Sequence, residues 1–409
     1  MESNNENTKV SSRLSRRGFV AGGAAAAAAF AAPAIILAES KSGSKRPVMG
    51  QGEFMYEVEH DWGLDNLPSY LKYGNTHAVV QDRNGFVYVH HTVHVDSPRG
   101  DAVVVFDPKG RFVRSWGSMF RNSAHGMNIQ KEGNTEYLYF ADERHGIVTK
   151  RTLKGEEVWT VGYPQESPVY QKGPGATGPG GTFGLNYRPT NTCVDPKTLD
   201  FWVGDGYGSY HMFHYKQETS TSYPKLVRTF GGPPPRPAPP PAAPAAPAAA
   251  GAPAAAPTPP AAPAARPPVP LENTNNPHGN WIDTRDPANP VLLLADRGNR
   301  RIVRYSLDDK PIDVIEGTNQ PCHFAQHKDL IVVPDLDGRV HIMQGNKIVS
   351  SFGGEQPGKP NPARTTQNRA DFVPGQFKHP HGACFDHDGN IFVAEWVEIG
   401  RVSKLKRIV

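Results

Sequence analysis

The chain has few cysteines, little net charge and few long apolar runs, and each shortage removes a class of protein from consideration. Three cysteines in 409 residues cannot form a disulfide framework. The 44 lysines and arginines nearly balance 40 acidic residues, which leaves a formal charge of +4 and no concentrated basic face of the kind that binds nucleic acid. With 37% hydrophobic and 9% aromatic residues, the chain still has ample apolar material for a soluble core.

The N-terminal segment has the pattern of an export signal. Arg16 and Arg17 stand before Gly18 and Phe19 in a twin-arginine motif, and an alanine-rich apolar stretch follows as far as Leu37. This composition makes a weak membrane anchor, so cleavage is the favoured interpretation, with small residues near Ala32-Pro33-Ala34 and at Ala38 as the two candidate points. We predict a signal peptide over residues 1–38 and a linker over 39–52. The expected partner is the bacterial twin-arginine translocase, and the product is periplasmic or secreted, without a stable membrane span.

The rest of the chain is built from a repeated unit, in which an apolar run follows the first residue and ends in an acid. Six copies begin at His77, His125, Thr190, His278, Cys322 and His381. Three of them have a strict His-Gly start. Six units at a period of roughly 40–50 residues, once insertions are removed, are typical of a β-propeller.

We therefore predict an all-β fold, a six-bladed β-propeller over residues 53–409. The sixth unit lacks its last strand because the chain stops at Val409, whereas a strand-like segment over residues 55–62 precedes the first unit. Pairing of that segment with residues 402–408 would close the ring and protect its edges. The stretch from Pro233 to Pro270 is almost pure proline and alanine and is predicted to be a disordered surface insertion between blades three and four.

The first position of each unit carries the predicted chemistry. In a propeller the innermost strand of every blade lines the central channel, so the six first residues form one ring. His125, His278 and His381 fall on alternate blades, which a three-fold axis relates, so their imidazoles should converge on one point. Three neutral imidazoles are the ligand set of a catalytic zinc ion with an open position. Copper, iron and nickel also accept nitrogen ligands, so zinc is the first choice among several divalent metals.

Further imidazoles surround the predicted channel mouth. The repeat positions of His77, His91 and His379 point inward, and such groups can transfer protons or bind substrate near neutral pH. Three others are interpreted as solvated residues at strand ends, namely His90, His94 and His214. The acids that end the second strands are interpreted as structural acceptors for turn amides, namely Asp142, Asp205, Asp296, Asp335 and Glu395.

The chain resembles a known family at the Pro-His-Gly units and at three further short sequences. These are Arg188-Pro189-Thr190, Asp205-Gly206-Tyr207 and Ala295-Asp296-Arg297. They resemble NHL-repeat propellers and, more narrowly, the peptidyl-α-hydroxyglycine α-amidating lyases, over residues 53–409 without the insertion. The resemblance implies a catalytic zinc on the three histidines of alternate blades. It also implies a tyrosine base at Tyr207 that acts on the hydroxyl of a carbinolamide, with release of an amide and glyoxylate.

The chain departs from that family where substrate is recognised. The family's active-site arginine falls at His91, a methionine falls at His379, and a calcium-binding aspartate is replaced by Gly382. The metal ligands are kept while the groups around the substrate change. The predicted site therefore has Tyr207 and His91 as catalytic residues, and His77 and His379 as substrate-binding residues.

Two functions of different class follow from these observations. One is an exported, metal-dependent, lyase-like enzyme that acts on a hydroxylated substrate, either a small molecule or derived from a peptide. The other is a non-catalytic extracytoplasmic propeller that binds or scaffolds a partner and holds a structural metal. A fourth protein ligand from His77 or Cys322 would favour the second function, and an open position beside Tyr207 would favour the first.

Overall fold

The computed structural model describes residues 46–171, 187–234 and 269–408. The predicted signal peptide and residues 235–268 of the insertion lie outside these ranges. The described residues form six antiparallel sheets, one for each predicted blade, arranged as a ring. The predicted six-bladed β-propeller is confirmed.

The first two strands of the chain belong to the last blade, and the remaining strands follow in blade order. These two are β1 Val48–Gln51 and β2 Phe54–Glu59. Blade one comprises β3 Thr76–Gln81, β4 Val87–His91, β5 Val103–Phe106 and β6 Phe112–Trp116. Blade two comprises β7 Ala124–Glu132, β8 Thr135–Asp142, β9 Ile147–Thr152 and β10 Glu157–Val161. Blade three comprises β11 Asn191–Val194, β12 Phe201–Gly204, β13 His211–Lys216 and β14 Lys225–Gly231.

The second half of the ring has the same plan. Blade four comprises β15 Pro277–Asp283, β16 Val291–Asp296, β17 Arg301–Tyr305 and β18 Pro311–Ile315. Blade five comprises β19 Ala325–His327, β20 Leu330–Asp335, β21 Arg339–Gln344 and β22 Lys347–Gly353. Blade six comprises β23 Pro380–Phe385, β24 Ile391–Glu395 and β25 Arg401–Arg407, followed by β2 and β1. Within the described ranges, short 3-10 helices lie at Leu64–Asn66, Ser118–Phe120, Arg297–Asn299 and Arg369–Asp371.

The ring closes through the N-terminal segment, as the sequence predicts. Strand β2 pairs antiparallel with β25, with Tyr56 opposite Arg407 and Val58 opposite Leu405. Strand β1 then adds a fifth strand outside β2, which the sequence analysis did not predict. Both chain ends are thereby held in one sheet, and the edge that β25 would otherwise expose is paired.

The core lies between the faces of neighbouring blades. The second strands of the blades are largely buried and rich in Val, Ile, Leu and Phe, and the central residues of the third strands are buried as well. Between blades six and one, the Trp62 ring lies 4.7 Å from Phe392 and 5.2 Å from Phe106, measured between centroids. Each such side chain contributes about 1.5–3 kcal/mol through burial. Cys193 and Cys384 are buried and unpaired in this core, in line with their interpretation as small apolar residues.

The residues that flank the insertion meet at one point of the ring. The Thr274 amide donates to the Gly232 carbonyl at 2.9 Å, and the Gly232 amide donates to the Thr274 hydroxyl at 2.6 Å. The insertion therefore leaves and rejoins the propeller at the same place, as an excursion between adjacent blades would. Among the described residues, no helix has the length and apolar character that a bilayer crossing needs.

Candidate metal centre in the channel

Three histidines from alternate blades meet on the channel axis. His125, His278 and His381 lie near the start of β7, β15 and β23, the innermost strands of blades two, four and six. They are 2%, 1% and 3% exposed. The centroids of their rings are 4.8, 4.9 and 4.8 Å apart, so the imidazoles stand at the corners of a nearly equilateral triangle. The spacing of the repeat thus produces a three-fold arrangement.

The Nδ1 of each imidazole makes an equivalent hydrogen bond, to the backbone carbonyl of the residue that begins the repeat unit in the next blade. The bonds run from His125 to Thr190 at 2.6 Å, from His278 to Cys322 at 2.8 Å and from His381 to His77 at 2.9 Å. A carbonyl can only accept, so the proton sits on Nδ1 and Nε2 keeps its lone pair. That tautomer, oriented from behind, is the form in which histidine binds a metal.

Burial keeps the three imidazoles neutral. It lowers the pKa of each ring well below its usual range, and the neighbouring histidines and Arg297 lower these pKa values further. A protonated imidazole cannot act as a ligand. The site therefore holds its candidate ligands in the binding-competent form without the help of a carboxylate.

The Tyr207 hydroxyl lies between two of these histidines. It is 3.2 Å from Nε2 of His125 and 3.2 Å from Nε2 of His278, and Nη2 of Arg297 donates to it at 3.0 Å. Burial raises the pKa of Tyr207, and the Arg297 guanidinium opposes that rise. The phenol is therefore protonated at neutral pH and can donate to only one Nε2 at a time.

Two further candidate ligands lie beside the predicted three. Potential ligand atoms lie within 4.8 Å of one another in two groups, one of His77, His125 and His381 and the other of His278, Cys322 and His381. His381 belongs to both groups, and its Nε2 is buried without a hydrogen-bond partner among the described residues. Burial raises the pKa of the Cys322 thiol to about 12, so the thiol stays protonated and is a weaker ligand candidate than His77.

The other predicted site residues take separate places. Nδ1 of His91 accepts from the amides of Gly74 at 3.3 Å and Val93 at 3.0 Å, and its ring packs edge-on against Tyr73. These contacts tie His91 to the backbone behind the channel, and none of the described ring contacts or hydrogen bonds joins it to the histidine triangle. Nδ1 of His379 donates to the Leu336 carbonyl at 2.7 Å. The catalytic role of His91 and the substrate-binding role of His379 stay predictions.

Two histidines interpreted as solvated are buried, and that interpretation is wrong. His90 is fully buried, and its ring contacts those of Phe120 and Phe140 at centroid distances of 5.4 and 5.0 Å. His214 is buried and pairs through Nδ1 with Asp309 at 2.9 Å. Both lie on middle strands of their blades, where the neighbouring blade covers side chains that a single sheet would leave exposed.

Arg297 is the site residue that the sequence analysis missed. Its Nε donates to Oδ1 of Asn276 at 2.6 Å, and its guanidinium lies 5.3 Å from the centre of the Tyr207 ring. Arg188 lies at the same distance from that ring and pairs with Glu143. Its position in the sequence could have identified it as a site residue. Arg297 directly follows the acid that ends a second strand, where the chain turns back toward the mouth.

The acids that end the second strands have the structural role predicted for them. Their carboxylates accept hydrogen bonds from backbone amides of the turns. In four blades they also accept from amides of the loop just before the first residue of the repeat unit. In blade six Glu395 accepts from the Lys378 amide at 2.7 Å, three residues before His381. In blade four Asp296 accepts from the Asn275 amide at 2.7 Å, three residues before His278. They therefore position the metal-site histidines through the backbone.

A polar layer crosses the channel below the histidine triangle. Nε2 of His323 in blade five lies 3.0 Å from Oδ1 of Asn128 in blade two, on the opposite side of the ring. The Asn128 amide group also donates to the Thr192 carbonyl of blade three. These contacts join blades two, three and five across the channel.

Comparison with known proteins gives likeness in fold only. No protein-family profile and no curated protein matches the chain. A solved streptogramin B lyase matches at 11% identity with a TM-score of 0.48, over 86% of this chain and 97% of that chain. Virginiamycin B lyase from Staphylococcus aureus matches at 11% with a TM-score of 0.46, over 86% and 100%. A chain of a nidogen–laminin complex matches at 10% with a TM-score of 0.42, over 75% and 92%.

Proposed function

We propose that this protein is an exported metal-dependent enzyme, lyase-like in its chemistry, that acts on a hydroxylated carbon such as that of a carbinolamide. One observation carries the proposal. The Tyr207 hydroxyl lies 3.2 Å from the Nε2 atoms of two histidines whose Nδ1 atoms are already committed to carbonyls. A proton-transfer group thus faces the nitrogens that are free to bind a metal.

His125, His278 and His381 would hold the ion, and the donor set fits one. The Nδ1 anchors leave the three Nε2 lone pairs available in a buried space, and the candidate ligand atom of His381 lies within 4.8 Å of those of both His125 and His278. The Nε2 of His381 has no hydrogen-bond partner among the described residues. When bound there, a divalent ion such as Zn²⁺ supplies a Lewis acid for a hydroxyl oxygen. His77 and Cys322 complete the wall around that space.

Tyr207 is the group placed to move the proton. In the resting site its hydroxyl donates to one Nε2 and accepts from Arg297. That hydroxyl would lie beside a substrate hydroxyl if the three histidines held an ion. Arg297 holds the phenol in place, and its charge favours the phenolate, which would accept the proton of the substrate hydroxyl and return it to the amide nitrogen as the C–N bond breaks.

The mouth provides the groups that would recognise substrate. Arg188 and Arg297 flank the Tyr207 ring, and their positive charges would attract a carboxylate. Arg188 pairs with Glu143, and Arg297 donates to Asn276 and Tyr207, so these partners fix the position of both guanidinium groups. His77 and His379 are the further substrate-binding candidates. The proposed substrate is a small or peptide-derived molecule with a hydroxyl and an amide nitrogen on one carbon. The twin-arginine motif supports export as a folded protein through the translocase.

A second candidate function rests on the position of His77. Its imidazole lies 4.6 Å from His381 and 5.0 Å from His125 between ring centroids, close enough to supply a fourth nitrogen. Four protein ligands would close the coordination sphere and make the metal structural. The protein would then be a non-catalytic binding or scaffold propeller.

Turnover of a peptidyl-α-hydroxyglycine, followed as glyoxylate release, separates the two functions. The zinc-loaded mature protein should turn the substrate over, lose activity with a chelator and regain it with Zn²⁺. His77→Ala should keep its metal if the position beside Tyr207 is open, and because His77 is a substrate-binding candidate, its loss should raise KM more than it lowers kcat. A folded, zinc-loaded protein without turnover, together with metal loss in His77→Ala, would support the structural metal and refute the enzyme.

A further inference from the structure

The acid that ends the second strand of blade five lacks a partner that its counterparts have. In blade four Asp296 pairs with Arg301 at 2.8 Å, and in blade six Glu395 pairs with Arg401 at 2.8 Å. Each arginine stands directly opposite its acid in the ladder. In blade five Arg339 occupies the same register opposite Asp335.

Arg339 does not neutralise that acid. Its side chain is 46% exposed, and its Nε lies 3.7 Å from the next carboxylate along the chain, Asp337. Asp335 is fully buried and accepts backbone amides from Asn319 and Gln320, both at 2.7 Å. Those amides satisfy hydrogen bonds but bring no full positive charge. A buried carboxylate without a cation is costly, by several kcal/mol for an unpaired ion.

The nearest group to take the arginine's place is an imidazole. His341 is 3% exposed, and its Nδ1 lies 2.7 Å from the Ser351 hydroxyl. Its Nε2 points at Asp335 but stands 3.5 Å from Oδ2, and it makes no hydrogen bond of normal geometry within the described structure. The imidazole is thus held from behind by Ser351 and presents an unsatisfied nitrogen to two carboxylates.

We propose that Asp335, Asp337 and His341 form a second metal site, which binds a divalent cation in place of the guanidinium found in blades four and six. Their ligand atoms all lie within 4.8 Å of one another. Two carboxylates and one imidazole suit Mn²⁺ and the borderline metals better than an all-nitrogen site does. Asp337 is exposed, so a cation can reach the site from solvent and keep part of its water shell.

The site is separate from the channel centre but shares a blade with it. Asp335 holds the amides of Asn319 and Gln320, and Cys322 follows two residues later on the channel wall. A cation on Asp335 would therefore fix the loop that places Cys322 and its carbonyl, the acceptor for His278.

Manganese binding to the mature protein with the channel centre removed tests this assignment. In His381→Ala, freed of metal with a chelator, added Mn²⁺ should bind at one equivalent, read from the loss of the free-ion electron paramagnetic resonance signal. Adding Asp337→Asn should weaken that binding at least about tenfold. Loss of a metal ligand should lower the affinity at least as much as loss of a residue that only orients a ligand. Asp308→Asn, an exposed carboxylate in the neighbouring blade, is the charge-matched control and should bind as its parent does.

The melting temperature gives a second readout that does not depend on the channel. Saturating Mn²⁺ should raise it in His381→Ala, and should not raise it in His381→Ala combined with Asp337→Asn. If His341 instead carries a proton on Nε2 and pairs with Asp335 alone, Mn²⁺ will neither bind nor stabilise. Either that outcome, or equal binding by Asp337→Asn and Asp308→Asn, overturns the proposal.

Discussion

At the scale of single residues, the hydrogen bond behind each channel histidine matters as much as the histidine itself. The repeat puts imidazoles on alternate blades, but the carbonyl of the next blade decides which nitrogen faces the axis. Gly279 and Gly382 make this possible, because a Cβ at either would lie about 2.4–2.5 Å from a carbonyl oxygen of the adjacent blade. The His-Gly pair is thus one unit, a ligand followed by the residue that lets two blades approach.

Replacing Tyr207 by phenylalanine separates metal binding from proton transfer. The change removes one hydroxyl and leaves the three histidines and their carbonyl acceptors in place. Metal content should therefore be unchanged, while kcat falls by about 10²–10⁴-fold if the hydroxyl is the acid–base group. Tyr223→Phe, at an exposed position, is the matched control. Loss of metal from Tyr207→Phe, or unchanged turnover, would contradict the assigned role.

His90 should make the fold sensitive to acid. Burial, followed by the neighbouring His91, lowers the pKa of His90 to about 3. Below the unfolded pKa of about 6.5 the unfolded chain takes up a proton that the folded chain excludes, so stability falls as the pH drops from 6.5 toward 3. This group alone should cost about 1–2 kcal/mol by pH 5.5.

His90→Leu should reduce that acid sensitivity, measured as the change in unfolding free energy between pH 7.5 and 5.5. The exposed His387→Leu should leave the pH dependence as in the wild type. A steeper loss of stability with acid in His90→Leu would show that His90 is protonated in the folded state.

At the scale of elements, the ends of the second strands tie each blade together. Glu395 and Arg401 face each other across β24 and β25, both fully buried, and Arg401 also donates to the Gln376 carbonyl at 2.8 Å. The Thr76 hydroxyl donates to the Glu395 carbonyl at 2.7 Å, which connects this corner to blade one. The pair therefore stabilises the blade that both chain ends build.

Arg401→Met should destabilise the protein by about 3–5 kcal/mol, because it leaves the Glu395 carboxylate buried and uncompensated. The double variant Glu395→Gln with Arg401→Met removes the charge and should recover part of that loss. Urea unfolding of both variants at pH 7 checks this. A double variant less stable than the single one would mean that the pair is not the source of the effect.

The elements also show where sequence reasoning succeeds and where it stops. The pairing of β2 with β25 was predictable, because one unit lacked a strand and the chain carried a spare one. Strand β1 was not predictable, because its four residues correspond to no part of the repeat unit and so show no recurring pattern. The histidine triangle follows from counting blades. Arg297 and the burial of His90 do not, because they depend on how a turn or a strand meets the neighbouring blade.

At the scale of the whole molecule, we expect the stability of the ring not to depend on the insertion between blades three and four. Gly232 and Thr274 bond directly, so the geometry at the base of the insertion is set without it. Replacing residues 235–268 by a short flexible linker should leave the melting temperature nearly unchanged, since closing a shorter loop costs no more entropy. A fall of many degrees would show that the insertion packs on the propeller. Val269 and Pro270 must be kept, because Arg301 donates to their carbonyls.

We expect histidines from three blades to bind one metal ion on the channel axis, and the metal content of the protein shows directly whether they do. Zinc equivalents should be measured by mass spectrometry in the mature wild type and in His125→Ala, His278→Ala and His381→Ala, after equal loading and dialysis. Each variant should hold one equivalent fewer than the wild type, because two remaining imidazoles are too few for a stable site. Equal metal in the wild type and all three variants would contradict the account.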